Sequence, residues 1–132
     1  MPLITILVED SAVIRESLVP AMAELAHAEV VAIADTADDA IVTLKKYEGA
    51  WQLAVIDLYL KQGTGLAVLR AFRSRAPNQH MVVLTNYATP EIRRRCNEVG
   101  ADAVFDKSTE IDAFFALCAS YLKLAEGGGG TP

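Results

Sequence analysis

The feature that most constrains this chain is a rhythm. Five short apolar runs, LITILV (3–8), EVVAIA (29–34), LAVID (53–57), HMVVLT (80–85) and ADAVFD (101–106), recur at helix-length intervals. The first four are short, aliphatic and rich in branched residues, as strands buried on both faces are. The segments between them carry the spacing of helices instead. Ser11 stands where an N-cap belongs, ahead of Ile14, Leu18, Met22 and Leu25 on one helical face. Pro20 falls inside that helix and removes one of its backbone hydrogen bonds. Thr36 can cap a second helix, with Ala40, Ile41, Leu44 and Tyr47 facing inward and Gly49 at its end. Leu66, Leu69 and Phe72 mark a third, with Pro77 just past it. TPE (89–91) is a helix start with Thr as cap, Pro first and an acid in the first turn, and Gly100 closes that helix. Ile111, Phe114, Phe115, Cys118 and Leu122 set the fifth, capped by Ser108 or Thr109.

Strands alternating with helices predict an α/β fold: a parallel sheet covered on both faces. Right-handed crossovers leave few topologies. The favoured one is a doubly wound, flavodoxin-like sheet of five strands in the order 2-1-3-4-5. Sites on such sheets form beyond the carboxyl ends of the strands, near the point where the strand order reverses. That point lies between strands one and three.

The residues at those ends are not random. Strand one ends in Glu9-Asp10, strand three in Asp57, strand four in Thr85 and strand five in Asp106-Lys107. Carboxylates brought this close raise one another's pKa unless a cation intervenes. A hard divalent ion such as Mg²⁺ suits a cluster of oxygen donors and keeps some of its water. Lys107 would bring a compact positive charge from the other side.

Composition removes several classes. The 132 residues fit one domain, and 52 % are hydrophobic, so a single core can form. A net charge of −5 disfavours nucleic-acid binding by this chain. No apolar run approaches the roughly 20 residues of a membrane span. The start, MPLITILVED, lacks the basic region of a signal peptide. Cys96 and Cys118 have no CxxC spacing and read as reduced, packed thiols of a cytoplasmic chain. His27 and His80 have no metal-ligand spacing.

With these residues in view, the sequence resembles a response-regulator receiver domain of two-component signalling. The matching stretches are VEDSAVIRESL with Glu9-Asp10, VIDLYLKQGTGL with Asp57, VVLTN with Thr85 and GADAVFDKS with Lys107. The likeness spans about residues 3–124; the domain is assigned to 1–124, and 125–132 to a Gly-rich tail or linker start.

The resemblance implies that Asp57 accepts a phosphoryl group from a phosphohistidine on a sensor histidine kinase or phosphotransfer protein. It implies Mg²⁺ (or Mn²⁺) held by Asp10, Asp57 and the backbone carbonyl of Tyr59, with Glu9 acting through water. Lys107 would neutralise one phosphoryl oxygen and Thr85 would donate a hydrogen bond to another. The switched surface would be helix four, strand five and helix five, where a homodimer could form. A downstream output domain could follow in a longer chain. The activity would be self-catalysed phosphoryl transfer and slow autodephosphorylation only, not that of an enzyme.

The chain departs from the family pattern in places. Val104 stands where receivers often carry an aromatic switch residue, and Phe105 beside it should face the other way. Ser108 follows the lysine where Pro is common, and Asn86 replaces the small residue usual after the threonine. Tyr59 and Tyr87 each stand two residues past a site residue, where two phenols could shield an acyl phosphate. Arg93-Arg94-Arg95 reads as a solvated helix face, or as an ion-pair surface for dimerisation with Asp102, Asp106 and Asp112 as opposite partners.

Three other functions compete. An aspartyl-nucleophile phosphatase needs an acid two residues after the nucleophile, where this chain has Tyr59. A flavin or nucleotide carrier needs a glycine loop after strand one, where EDSAVI offers two acids. A pseudo-receiver that binds partners without phosphorylation is the main alternative, kept open by Val104.

Overall fold

A computed structural model of the protein describes residues 1–127. The elements are β1 (Leu3–Val8), α1 (Ala12–Ala26), β2 (Ala28–Ala34), α2 (Ala37–Lys46), β3 (Leu53–Ile56), α3 (Gly65–Ala71), β4 (His80–Thr85), α4 (Pro90–Glu98), β5 (Ala103–Asp106) and α5 (Ile111–Glu126). The sheet runs β2-β1-β3-β4-β5, and every pairing is parallel. This is the fold the alternation predicts.

The strands split their side chains by the two-residue period of a pleated strand. Ile6, Val8, Ala54, Ile56, Met81 and Val83 face one core with α2, α3 and α4. Leu3, Leu7, Leu53, Val55, Val82 and Leu84 face the other, with α1 and α5. All four residues of β3 are buried, as a central strand between two layers must be. Cys96 and Cys118 each pack into one of these cores as free thiols.

The helix starts follow the local chemistry. Ser11, Thr36, Thr64 and Thr89 each accept a hydrogen bond from the backbone N–H three residues on. Helix α5 departs from expectation. Neither Ser108 nor Thr109 caps it. Asp106 instead accepts both of their backbone N–H groups, and the cap position falls to Glu110, whose carboxylate makes no cap bond. Asp is the better turn former, so it takes the turn ahead of the helix.

Other boundaries shift for similar reasons. Leu25 is 57 % exposed, because the buried row of α1 is Leu18, Met22 and Ala26, four apart, which rotates Leu25 outward. Helix α2 stops at Lys46, and Gly49 takes φ +83° in the turn beyond. Strand β5 starts at Ala103, since the N–H groups of Gly100 and Ala101 are spent on the end of α4. Helix α5 continues to Glu126, two residues into the stretch assigned to the tail; residues 128–132 lie outside those described. His27 takes φ 52° and closes α1, and His80 stacks flat on Tyr121 at 3.8 Å. No helix among the described residues is long and apolar enough to cross a membrane.

Candidate functional site

The site is assembled where the parallel strands end. The Glu9 N–H still pairs with the Ala34 carbonyl, and the Asp57 N–H pairs with the Val8 carbonyl. The sheet's own hydrogen bonding therefore carries both acids to the same edge. Glu9, Asp10 and Asp57 can bring one oxygen each within 4.8 Å of one another.

Glu9 turns inward and is only 2 % exposed. One carboxylate oxygen accepts the Ser11 N–H at 3.1 Å; the other accepts from Lys107 Nζ at 2.7 Å. The Arg15 guanidinium holds the Glu9 carbonyl at 2.9 Å. Lys107 Nζ also lies 3.3 Å from Asp57 Oδ2. One lysine thus spans two acids from different strands. Burial pushes the Asp57 carboxyl up to about 6, with Lys107 opposing the shift and Glu9 adding to it. Asp57 is therefore an acid with a raised pKa, beside a fixed cation, at the mouth of a buried strand.

The turn after Asp57 is tight. The Gly65 N–H bonds the Leu58 carbonyl, and Tyr59 bridges to Thr64. Gly63 takes φ +81°, the left-handed region where glycine is favoured. Gly65 is a glycine for another reason. A Cβ there would stand 2.5 Å from the Asp57 carbonyl oxygen and 2.9 Å from Ile56.

Thr85 is fully buried. Its hydroxyl oxygen accepts the Tyr87 N–H at 3.1 Å, and its carbonyl accepts the Lys107 N–H at 2.9 Å. Tyr87 and Asn86 are exposed, and the Tyr87 ring meets the ring of Tyr59 edge-on at 5.0 Å. Val104 is buried in the core shared with α4, while Phe105 packs edge-on against Phe114 on the opposite face, at 6.0 Å. Alternation along β5 thus separates the two as predicted.

The arginine run is not a uniform solvated face. Arg93 folds back over the β4–α4 loop, donating to the carbonyls of Ala88 (3.0 Å) and Val104 (2.9 Å) and to Glu110 (2.5 Å). The Glu110 carboxylate also accepts the Asp106 N–H. Asp102 pairs with Arg75 at 2.7 Å and accepts the Met81 N–H. Arg93, Asp102 and Asp106 are therefore engaged within the chain, and the Arg94–Glu98 pair lies along the helix surface as a simple neighbour contact. The Arg93–Glu110 link was missed in the sequence. Its one legible sign was an acid at the start of α5, four residues after Asp106.

The donors at the acidic cluster are all carboxylate oxygens, without thiol or imidazole. That set suits a hard ion such as Mg²⁺ or Mn²⁺ and not a soft one.

Comparison with known proteins agrees with this arrangement. None of the curated proteins matches the chain. Among solved structures, a LuxR-family DNA-binding response regulator from Staphylococcus aureus superposes with a TM-score of 0.78 at 21 % identity, over 89 % of this chain and 97 % of that one. The receiver domain of the putative response regulator NarL from Mycobacterium tuberculosis gives 0.77 at 20 %, over 96 % and 98 %. The BeF3-activated receiver domain of RstA from Klebsiella pneumoniae gives 0.78 at 19 %, over 90 % and 97 %. These likenesses speak for the fold. The family itself is given by the sequence match to the response regulator receiver domain, which spans residues 5–118. Receiver domains are signalling modules rather than enzymes in their own right, and bind Mg²⁺ at an acidic pocket. On that match, with the strand order and the edge of acids and lysine described above, the chain belongs to the response regulator receiver domain family.

Proposed function

We propose that the protein is a phosphoacceptor receiver and that Asp57 is the residue modified. The observation that carries this reading is Asp57 itself, set at the end of a fully buried strand and 3.3 Å from Lys107 Nζ. An ionised carboxylate can attack phosphorus and form an acyl phosphate. The donor is a phosphohistidine on a sensor histidine kinase or phosphotransfer protein. Transfer needs little beyond positioning and charge neutralisation. Lys107 neutralises one phosphoryl oxygen. Thr85 turns its hydroxyl toward another.

Asp10, Asp57 and the Tyr59 carbonyl would hold a divalent ion, Mg²⁺ or Mn²⁺, with Glu9 contributing through water. When bound, the ion supplies the positive charge that offsets phosphoryl oxygens among acids. Both Glu9 oxygens already have protein partners, which supports an outer role for it rather than direct ligation. Tyr59, Asn86, Tyr87 and Val104 modulate the site: the first three line its approach, and the last fills the space of a switch ring. The output is a change in the face made by α4, β5 and α5, which could also pair with a second copy or act on an output domain in a longer chain. We read the chain as cytoplasmic, and its net charge of −5 supports a module that does not itself bind nucleic acid.

The test is incubation with Mg²⁺ and a small phosphodonor, followed by intact mass. Wild type should gain one phosphoryl group and Asp57→Asn none. An equal gain in Asp57→Asn overturns the assignment of the acceptor. No gain in wild type leaves a pseudo-receiver that works through protein contact alone.

A further inference from the structure

We infer that Arg93 is a positioning residue for this site: its guanidinium clamps the β4–α4 loop, strand β5 and the β5–α5 turn together in the resting arrangement, and phosphorylation must open that clamp. The inference rests on the reading of Asp57 as phosphoacceptor.

The argument follows the hydrogen bonds outward from the site. The Thr85 hydroxyl oxygen holds the Tyr87 N–H. The next residue is Ala88, whose carbonyl accepts from Arg93 Nε at 3.0 Å. The same guanidinium reaches the Val104 carbonyl on β5 and the Glu110 carboxylate at the start of α5. Glu110 in turn holds the Asp106 N–H, and Lys107 follows directly in the chain. A closed loop of bonds therefore joins Thr85 and Lys107, the two groups that answer a phosphoryl group, through one arginine on α4.

Turning the Thr85 hydroxyl toward Asp57 releases the Tyr87 N–H. The loop that follows then shifts, and the Ala88 carbonyl moves with it. A planar fork with three acceptors in fixed directions cannot follow one of them without losing the others. In this chain β5 offers no ring at position 104 to swing inward, because Val104 is already buried in the core. Arg93 supplies a polar link between the same two elements, from the α4 side.

A clamp present only in the resting arrangement raises the cost of leaving it. Its removal should make the activated arrangement easier to reach. The experiment is a titration of the whole chain with beryllofluoride, a tetrahedral stand-in for a phosphoryl group on a carboxylate, in the presence of Mg²⁺, followed by backbone amide NMR. Arg93→Ala should bind about fivefold more tightly than wild type. Arg93→Lys, which keeps the charge but not the fork, should behave as Arg93→Ala does. Glu110→Gln, which keeps one neutral acceptor, should fall between.

A purely structural arginine would lower thermal stability in these variants and leave the beryllofluoride affinity unmoved. An unchanged or weaker affinity in Arg93→Ala and Arg93→Lys overturns the inference. Wild type gives a second readout that needs no variant. The Arg93 Nε proton should exchange slowly with water at rest and rapidly once beryllofluoride saturates the site. Slow exchange in both states also overturns the clamp. Failure of wild type to bind beryllofluoride at all is a separate result, and it sinks the phosphoacceptor reading instead.

Discussion

The ring of Tyr59 stands edge-on to the ring of Tyr87, with centroids 5.0 Å apart and planes at 80°. One ring comes from the turn after β3 and the other from the loop after β4, so the contact joins the loops that follow two neighbouring strands. Both are about half exposed, at 51 % and 58 %, so they add little to the core. Their expected effect is on the lifetime of the modified protein. A Tyr59→Asn/Tyr87→Ala double variant should lose its phosphoryl group about threefold faster, a barrier change under about 1 kcal/mol. Loss of label over time from the purified phosphoprotein measures this, and an unchanged rate removes the shield.

Lys107 and Glu9 form a pair that the fold cannot easily do without. Their side chains are 11 % and 3 % exposed. Lys107→Met leaves an acid buried without its cation, which costs about 3–5 kcal/mol. Urea unfolding should show that loss. Adding Glu9→Gln to Lys107→Met should recover part of it, since the stranded charge is then gone. A double variant no more stable than Lys107→Met would mean that Glu9 is not the residue left uncompensated.

Asp57 works against the stability of the unmodified protein. Its carboxyl is raised from 3.8 to about 6, chiefly by burial. A raised acid favours the fold fully only below its unfolded value, and that contribution is lost as pH rises through the folded one. At about pH 7.5 without divalent ions, Asp57→Asn should therefore be more stable than wild type by on the order of 1 kcal/mol. The gap should close toward about pH 4. Thermal melts at the two pH values check both halves of the statement.

At the opposite end of the strands, His80 carries the reverse linkage. Burial holds its imidazole below the ordinary 6.5; Asp102 opposes the shift and Arg75 reinforces it. A depressed histidine stabilises the fold above its unfolded value, and the contribution is lost as pH falls through the folded one. His80→Phe keeps a flat ring against Tyr121. It should flatten the fall in stability between about pH 7 and about pH 5. If wild type and variant fall in parallel, His80 is not the group responsible.

Gly65→Ala tests packing behind the site. The new Cβ would meet the Asp57 carbonyl and Ile56, neither of which is the free end of a flexible chain. Overpacking of this kind costs about 1–3 kcal/mol. The same push should misplace Asp57 and slow its phosphorylation by a small donor. Gly49→Ala is the useful contrast, since no atom lies within 4 Å of its added Cβ. Its cost comes only from the left-handed φ of +83°.

The sheet was legible because β-branched runs and helical spacing obey different periods, and each strand's two faces found a separate core. The strand-end residues were legible for a related reason: parallel strands must end together. What escaped was set by contacts between segments far apart in sequence. Glu110 carries no motif of its own, and its role comes from α4 bringing Arg93 beside it. Nothing in the sequence around Gly65 shows that a side chain there would meet the Asp57 carbonyl. Leu25 satisfied a helical face on paper, but the contacting row on α1 ran four residues at a time and passed it by. The cap of α5 escaped because Asp106 could serve either as a strand end or as a turn former, and it does both.

The bond between Lys107 and Glu9 joins residues 98 positions apart. A chain emerging during synthesis carries Glu9, Asp10 and Asp57 long before it carries Lys107. Until β5 docks, those acids have no lysine among them. The proposed phosphoacceptor site is therefore completed only by the last strand, and a copy ending before β5 would keep the acids and lack the lysine that pairs with them.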